Sequence, residues 1–293
     1  MTTYFEAKTN TGKIQIKDSS PNIWMKSKTK LGQYYVKTVD IRYCFLGNDS
    51  YSTIVNNWLR NYTVPTLSQY DMYIYELPED ALCYLGNPDD SISVHVFCNH
   101  TEVTIWGQTK YEKEYLGSKK YVGITYCTKN QADNLDVYIF TQGKITDSSS
   151  CGLECYNAQN EKIFDSNCPP LKLLNNINHQ HCEYANGNTL SEYPTSYTAI
   201  NRTIQTNGKS IAVWVSLAGT VHTTAQRYDA YGRIIGVGYQ VGPCLSTVAV
   251  LSKNTVQFRT ICFIAFKDQY VLNLVLKLKY NRTMASVINV TNY

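Results

Sequence analysis

The sequence predicts an all-β protein of two tandem domains, each a β-sandwich or β-barrel, with long irregular loops. Three observations support this fold class. Short apolar runs of alternating or β-branched residues are separated by turns rich in Gly, Asn and Pro. Tyr occurs 25 times while only 17% of residues are charged, a composition that suits half-buried pleated surfaces. Finally, the order of features in one segment occurs twice in the sequence, which indicates an internal duplication.

The repeated segment is clearest at residues 152–173, GLECYNAQNEKIFDSNCPPLKL. Two short extended runs flank an Asn-bearing turn, so the pattern predicts a β-hairpin. Asp165 and Ser166 end the second strand, because their short oxygen-bearing side chains bond to the local backbone. Residues 4–25 repeat the order of features: an apolar residue before Glu, an Asn-bearing turn, Lys before a β-branched residue, Asp-Ser and Pro.

The first predicted domain covers residues 1–147 and the second covers residues 151–293. The run of small polar residues at 146–150 is typical of a linker and marks the boundary. In the first domain, residues 51–62 have apolar residues at helical spacing after a Ser cap and are the best helix candidate. The strands predicted for this domain are 31–45, 71–77, 92–97, 102–106, 121–126 and 135–140.

In the second domain, residues 173–194 are rich in Asn, His and Tyr and show no periodicity, so we expect a long irregular loop there. The polar tail at 281–293 is expected to be loose or docked on a partner. Apolar residues on both faces of 211–215 predict a strand that is buried on both sides. The strands predicted for this domain are 209–217, 233–241, 245–251, 255–266 and 270–280.

Residues 152–172 resemble the opening of small β-rich proteins encoded in the tail modules of tailed bacteriophages and prophages. The shared pattern is an apolar residue before Glu, an Asn turn, Ile-Phe-Asp-Ser and Pro-Pro-Leu-Lys. The copy at 4–25 departs from it at Lys17 and lacks the Phe before Asp. The resemblance implies a virion component of the tail tip or fibre that acts in assembly and host attachment. It carries no catalytic residues and covers about 20 residues of each half.

The resemblance also sets the expected partners and location. We expect contacts with other phage tail proteins, with a host cell-surface glycan or protein, and with further copies of the chain in a homo-oligomer, for which a trimer is one candidate. The protein would be made in the host cytoplasm and function in the virion tail. The N-terminus has no secretory pattern and the most apolar runs are too short to span a bilayer, so no membrane insertion is expected.

Charge argues against nucleic-acid binding. The net charge is +4, and although residues 151–293 hold 12 Lys and Arg against 7 Asp and Glu, no run of basic residues occurs. We therefore expect no nucleic-acid partner. The basic surplus would instead favour approach to an anionic cell surface.

Ten cysteines allow either a disulfide framework or buried thiols, and cytosolic synthesis favours thiols. The weak candidates for a structural zinc site are Cys151, Cys155, His179 and Cys182, because two pairs of S and N ligands at short spacing suit tetrahedral zinc. No knuckle-like Cys-x2-Cys occurs, so we expect no metal and no cofactor.

The sequence offers no catalytic arrangement. It has no Gly-x-Ser-x-Gly elbow, and its five His stand in no triad-like context, so we predict a protein that is not an enzyme. Exposed aromatics beside Asn and Ser make rigid hydrogen-bonding contact surfaces for proteins or sugars. The receptor-contact candidates are therefore in the Tyr-rich part of the predicted loop: Tyr184, Tyr193, Tyr197, His179 and Asn186.

Two alternatives stay open. Six Asn-x-Ser/Thr sequons would suit the ectodomain of a viral or extracellular receptor-binding glycoprotein, in which the cysteines would form disulfides. Paired acids in turns could belong to a glycan-degrading tail enzyme, whose two carboxylates are defined by their separation in space.

Overall fold

In a computed structural model, the described part of the chain is predominantly β. The structure describes residues 4–9, 12–17, 23–45, 66–76, 81–86, 94–96, 122–142, 145, 152–156, 159–184, 194–217, 221–228, 234–252, 254–266, 282–291 and 293. Within these ranges the helical segments are a 3-10 turn at Leu31–Tyr34 and the one-turn helix α1 at Lys129–Ala132. The predicted all-β fold class is therefore confirmed.

Among the described residues, two large sheets form the body of the structure, and three hairpins form separate two-stranded sheets. The six-stranded sheet contains β3 (Ile23–Lys30), β6 (Leu82–Gly86), β9 (Asp136–Gln142), β12 (Leu173–Gln180), β16 (Ile211–Leu217) and β20 (Arg282–Asn289). The eight-stranded sheet contains β4 (Tyr35–Phe45), β5 (Thr66–Glu76), β7 (Val94–Val96), β8 (Val122–Cys127), β15 (Asn201–Gln205), β17 (Val221–Tyr228), β18 (Ile234–Leu251) and β19 (Thr255–Phe266). The hairpins pair β1 (Tyr4–Thr9) with β2 (Gly12–Lys17), β10 (Glu154–Tyr156) with β11 (Lys162–Asp165), and β13 (Cys182–Tyr184) with β14 (Pro194–Tyr197).

The main hydrophobic core lies between the two sheets. The six-stranded sheet contributes residues such as Val137 and Val213, and the eight-stranded sheet contributes Tyr73, Ala249 and Phe258. Each of these side chains is at most 1% exposed. Because alternate residues of a strand face opposite sides, the intervening positions of the six-stranded sheet build a second cluster on its other face. That cluster includes Tyr84, Tyr138, Phe140, Ala212 and Ile288.

The two edges of the six-stranded sheet are joined through backbone pairing. The strand order is β12-β20-β16-β6-β9-β3, so β3 and β12 are its edges. The chain just before β12 lies against β3: the Leu171 N–H donates to the Ile23 carbonyl at 2.8 Å, and the Met25 N–H donates to the Pro169 carbonyl at 3.1 Å. Trp24 and Pro170 form the bridge between these bonds. The sheet therefore closes on itself at this seam and encloses the second cluster, as in a barrel.

Two strand pairs of the six-stranded sheet share the same pairing and the same shift of register. Met25 of β3 pairs with Phe140 of β9, and β3 shifts register directly after Met25. Leu173 of β12 pairs with Ile288 of β20, and β12 shifts register directly after Leu173. Both members of the pair advance by the same 148 positions, from 25 to 173 and from 140 to 288. The pair β3–β9 is thus geometrically repeated as β12–β20 within one sheet.

The expected pair of tandem domains is not confirmed. Both large sheets combine strands from each side of the predicted boundary; β9 and β12, for example, both belong to the six-stranded sheet. The predicted linker at 146–150 lies outside the described residues. The hairpins predicted at both copies of the repeated segment do form, as β1–β2 and β10–β11.

Two expectations for the second half are wrong. Residues 173–180 are not an irregular loop but form β12, paired with β20 along its length. The tail is not loose, because residues 282–289 form β20, which lies between β12 and β16 and contains the fully buried Val287. The sequence also gave no sign of β6 at residues 82–86. The predicted helix at 51–62 and the predicted strands at 102–106 and 270–280 lie outside the described residues.

Candidate functional site

A buried histidine lies where β12 ends and the β13–β14 hairpin begins. His181 follows β12 directly and is 1% exposed. Thr283 of β20 and Thr247 of β18 reach it from the two large sheets, and both are fully buried. The three side chains therefore form a polar cluster between the sheets at the foot of the hairpin. We call it the His181 cluster.

The hydrogen bonds of the His181 cluster determine its tautomer. Nδ1 of His181 lies 3.0 Å from the carbonyl oxygen of Thr198, which can only accept, so Nδ1 carries the proton. Nε2 must then accept, and Oγ1 of Thr283 is 2.5 Å away. Oγ1 of Thr247 lies 2.7 Å from Oγ1 of Thr283 and 3.1 Å from Nε2. Nε2 has one lone pair, and Thr283 is the nearer hydroxyl, so the hydroxyl of Thr283 donates to His181. The hydroxyl of Thr247 then donates to Oγ1 of Thr283.

The electrostatics hold the His181 ring neutral. Burial, the largest cause, and the nearby His179 lower the pKa of His181, the bond to the Thr198 carbonyl partly opposes them, and the net result is a fall from the ordinary 6.5 to about 4. The His179 ring lies 4.6 Å from the His181 ring at 72°. Its Nε2 is 3.2 Å from the same Thr198 oxygen. At neutral pH the cluster is therefore an uncharged hydrogen-bonded unit.

This arrangement anchors the β13–β14 hairpin to the body of the protein. The Thr198 N–H donates to the His181 carbonyl at 2.6 Å, directly after the pairing of Cys182 with Tyr197. Thr198 thus holds both the backbone and the ring of His181. A hydroxyl beside a histidine nitrogen is also the geometry of an activated nucleophile. Here Thr283 is 0% exposed and His181 is 1% exposed, so the geometry supports anchoring and not turnover.

The donor order gives a ranked prediction for two conservative variants. Thr283→Val removes the hydroxyl that donates to His181, and we expect it to lower the free energy of unfolding by about 2 kcal/mol. Thr247→Val removes only the outer hydroxyl, and we expect a loss of about 1 kcal/mol. Urea unfolding of both variants beside the unmodified protein measures the difference. A larger loss in Thr247→Val would contradict the donor order.

Three of the five predicted receptor-contact residues lie in or beside this hairpin. Tyr184 lies on β13 opposite Pro194, and Tyr197 lies on β14 opposite Cys182. His179 is a half-buried residue of β12 at the foot of the hairpin. Two other candidates, Tyr193 and Asn186, lie outside the described residues. The hairpin therefore brings Tyr184 and Tyr197 onto one two-stranded ribbon.

The weak zinc candidates are not assembled in the described part of the chain. No group of three or more His, Cys, Asp or Glu lies within metal-binding reach among the residues that the structure describes. Cys155 lies on β10, whereas Cys151 and the side chain of Cys182 lie outside the described residues. Cys83 and Cys127 are buried thiols in the main core, where they act as small hydrophobes.

The β10–β11 hairpin is a second structured element, and bonds among its own polar side chains hold its shape. The Asp165 carboxylate, 1% exposed, accepts from the Asn167 N–H at 2.8 Å and from Lys162 at 3.2 Å. Burial alone would raise the pKa of Asp165, but these bonds outweigh it and lower the pKa. Lys162 also binds Glu154, which accepts from the Tyr156 hydroxyl at 2.6 Å.

The first residues of the β10–β11 hairpin tie its open end. Gly152 has φ +139°, a backbone conformation that favours glycine, and an added Cβ would come within 2.5 Å of both Ser166 and Asn167. The Leu153 N–H donates to Oγ of Ser166 at 2.9 Å, and the Ser166 N–H donates back to the Leu153 carbonyl at 2.9 Å. Hydrogen bonds within the hairpin thus explain the residue types of the repeated segment.

The same hairpin exposes large apolar side chains. Leu153 is 52% exposed and Tyr156 is 49% exposed, although both lie on a ribbon that is fixed by internal bonds. Leu173, at the start of β12, is also 52% exposed. A rigid ribbon with exposed apolar residues is typical of a protein contact surface.

Sequence reasoning missed Thr247 and Thr283, the residues that complete the His181 cluster. They lie in different strands, 36 residues apart, and nothing in the local pattern separates them from other strand threonines. The only available signal was the His-x-His spacing at 179–181.

Comparison with known proteins finds no match: no protein-family model, no curated protein and no solved structure is similar to this chain. Within the described residues, no helix has the length and apolarity needed to cross a bilayer.

Proposed function

We propose that the protein is a non-enzymatic structural component of a phage tail, at the tail tip or fibre, that acts in assembly and host-surface attachment. The observation that carries this proposal is the β10–β11 hairpin. It has the residues that resemble phage tail proteins, and it is a self-bonded ribbon that presents Leu153 and Tyr156 to a neighbour. We assign it to docking on other tail proteins or on further copies of the chain.

The attachment part of the proposal rests on the β13–β14 hairpin. Tyr184 and Tyr197 lie on its two strands, and the His181 cluster fixes its foot to both large sheets. A ribbon held at its base keeps its contact residues in place without the entropy cost of ordering a free loop on binding. This favours a contact role towards a host glycan or protein.

Labelling of particles tests the tail assignment. Antibodies raised against the purified protein are applied to phage particles induced from the strain that encodes the chain, and gold-conjugated secondary antibodies are imaged by electron microscopy. We expect gold at the distal end of the tail, because a tip or fibre component is accessible there. Purified particles without label, in a preparation whose capsid antibody does label, would contradict the proposal.

A further inference from the structure

One face of the β12–β20 pair is covered by exposed amides. Asn176, Asn178 and Gln180 are alternate residues of β12 and therefore lie on one side of it. Asn178 is directly opposite Met284 of β20, and Gln180 is directly opposite Arg282. All five side chains are exposed. We call this surface the amide face.

The amide face breaks a local rule of sheet formation. Asn is disfavoured in strands, yet β12 contains Asn at 175, 176 and 178 and pairs with β20 along its length. Exposed Thr at these positions would serve the sheet better. The three amide side chains of the face make no hydrogen bond to another described residue that would repay the cost. Residues that lower local stability without making stabilising bonds within the fold indicate a contact with another molecule.

The repeated strand pair provides an internal comparison. Lys28, Lys30 and Asp136 occupy the positions of Asn176, Asn178 and Met284 once the 148-residue interval is applied. Nζ of Lys28 and Nζ of Lys30 lie 3.3 and 2.7 Å from the Asp136 carboxylate, so the charged groups of that face are paired with one another. The amide face has the same backbone geometry, but its amide donors and acceptors are exposed to solvent.

We propose that the amide face binds a neutral polysaccharide of the cell surface, which rests on the attachment role proposed above. Each amide offers two N–H donors and a carbonyl acceptor, the pattern that matches sugar hydroxyls. Met284 adds an apolar surface for the C–H side of a sugar ring. The only charge on the face is Arg282, so an anionic polymer would find little to pair with. Gln180 leads through His181 into β13, so the face continues towards the Tyr-bearing hairpin.

A polysaccharide array tests this inference. The probes are immobilised bacterial polysaccharides, neutral ones and anionic ones such as teichoic acids, at low and high salt. We expect the unmodified protein to bind neutral probes and to keep that binding at high salt. The double variant Asn176→Thr, Asn178→Thr removes two amides while it favours the strand, and we expect its affinity to fall by about tenfold or more.

The matched control is Thr203→Ala with Gln205→Ala on β15, two exposed strand residues away from the face. It should bind like the unmodified protein. Equal binding by the Asn variant, binding restricted to anionic probes and lost in salt, or no binding to any neutral probe would each overturn the inference. If gold labels the tail but no neutral polysaccharide binds, this inference fails while the tail assignment stands.

Discussion

Lowering the pH from 6.5 to about 4 is expected to remove about 3 kcal/mol of the free energy of unfolding through His181 alone. Above 6.5 the residue is neutral in both the folded and the unfolded chain, so it contributes no pH dependence. Between 6.5 and about 4 the unfolded chain binds a proton that the folded protein refuses, and stability falls as pH falls. Below about 4 both states are protonated and this loss is complete.

The main physical reason is burial of the His181 ring, which disfavours its charged form. A proton on Nε2 would also displace the hydrogen bond that the Thr283 hydroxyl donates there. The titratable side chain described against the ring is His179, on β12. The groups from β18, β20 and residue 198 are uncharged hydroxyls and a carbonyl. No described carboxylate among these contacts is in place to offset the new charge.

Urea unfolding at a series of pH values between 7 and 4 measures this loss. His181→Gln serves as the comparison: it is less stable at neutral pH, but its stability should change little between 6.5 and 4. His179→Gln should keep most of the slope, because burial is the larger cause of the lowered pKa. If the free energy of unfolding of His181→Gln fell with pH as steeply as that of the unmodified protein, the assignment of this loss to His181 would be wrong.

Trp24→Ala is expected to lower the free energy of unfolding by about 4 kcal/mol and to open the seam that closes the six-stranded sheet. Trp24 is 6% exposed and is bridged to Pro170 at the centre of that seam. Its loss leaves a cavity and weakens the two hydrogen bonds on either side. These bonds are donated by Met25 and Leu171.

Native-state hydrogen exchange separates seam opening from a general loss of stability. We expect the amides of Met25 and Leu171 to exchange faster in Trp24→Ala than global unfolding allows. The matched control is Phe258→Ala in β19, whose side chain is fully buried between the sheets, far along the chain from the seam. It should lose a similar free energy, about 4 kcal/mol, without local exchange at the seam. Equal exchange in both variants would show that Trp24 does not hold the closure.

Local pattern was sufficient for the strands that are rich in β-branched residues. The alternation at 211–215 predicted β16 with both faces buried, and Ile211, Ala212 and Val213 are each at most 1% exposed. The strand expected at 255–266 is β19 with the same bounds. The β10–β11 hairpin was also predictable, because its turn, its Lys and its Asp-Ser stop all act within about 20 residues.

The sequence by itself thus determined the all-β class, the two hairpins of the repeated segment and the strands of high propensity, because these depend on neighbours along the chain. Only the tertiary structure decided that the Asn-rich β12 and the polar β20 are strands, since β12 pairs with β20 across more than a hundred residues and β20 also pairs with the distant β16. It likewise decided the closure at Trp24 and the meeting of His181 with Thr247 and Thr283. Contacts between distant residues leave no period in the sequence, because each partner satisfies its own strand pattern and meets the other only when the sheets pack.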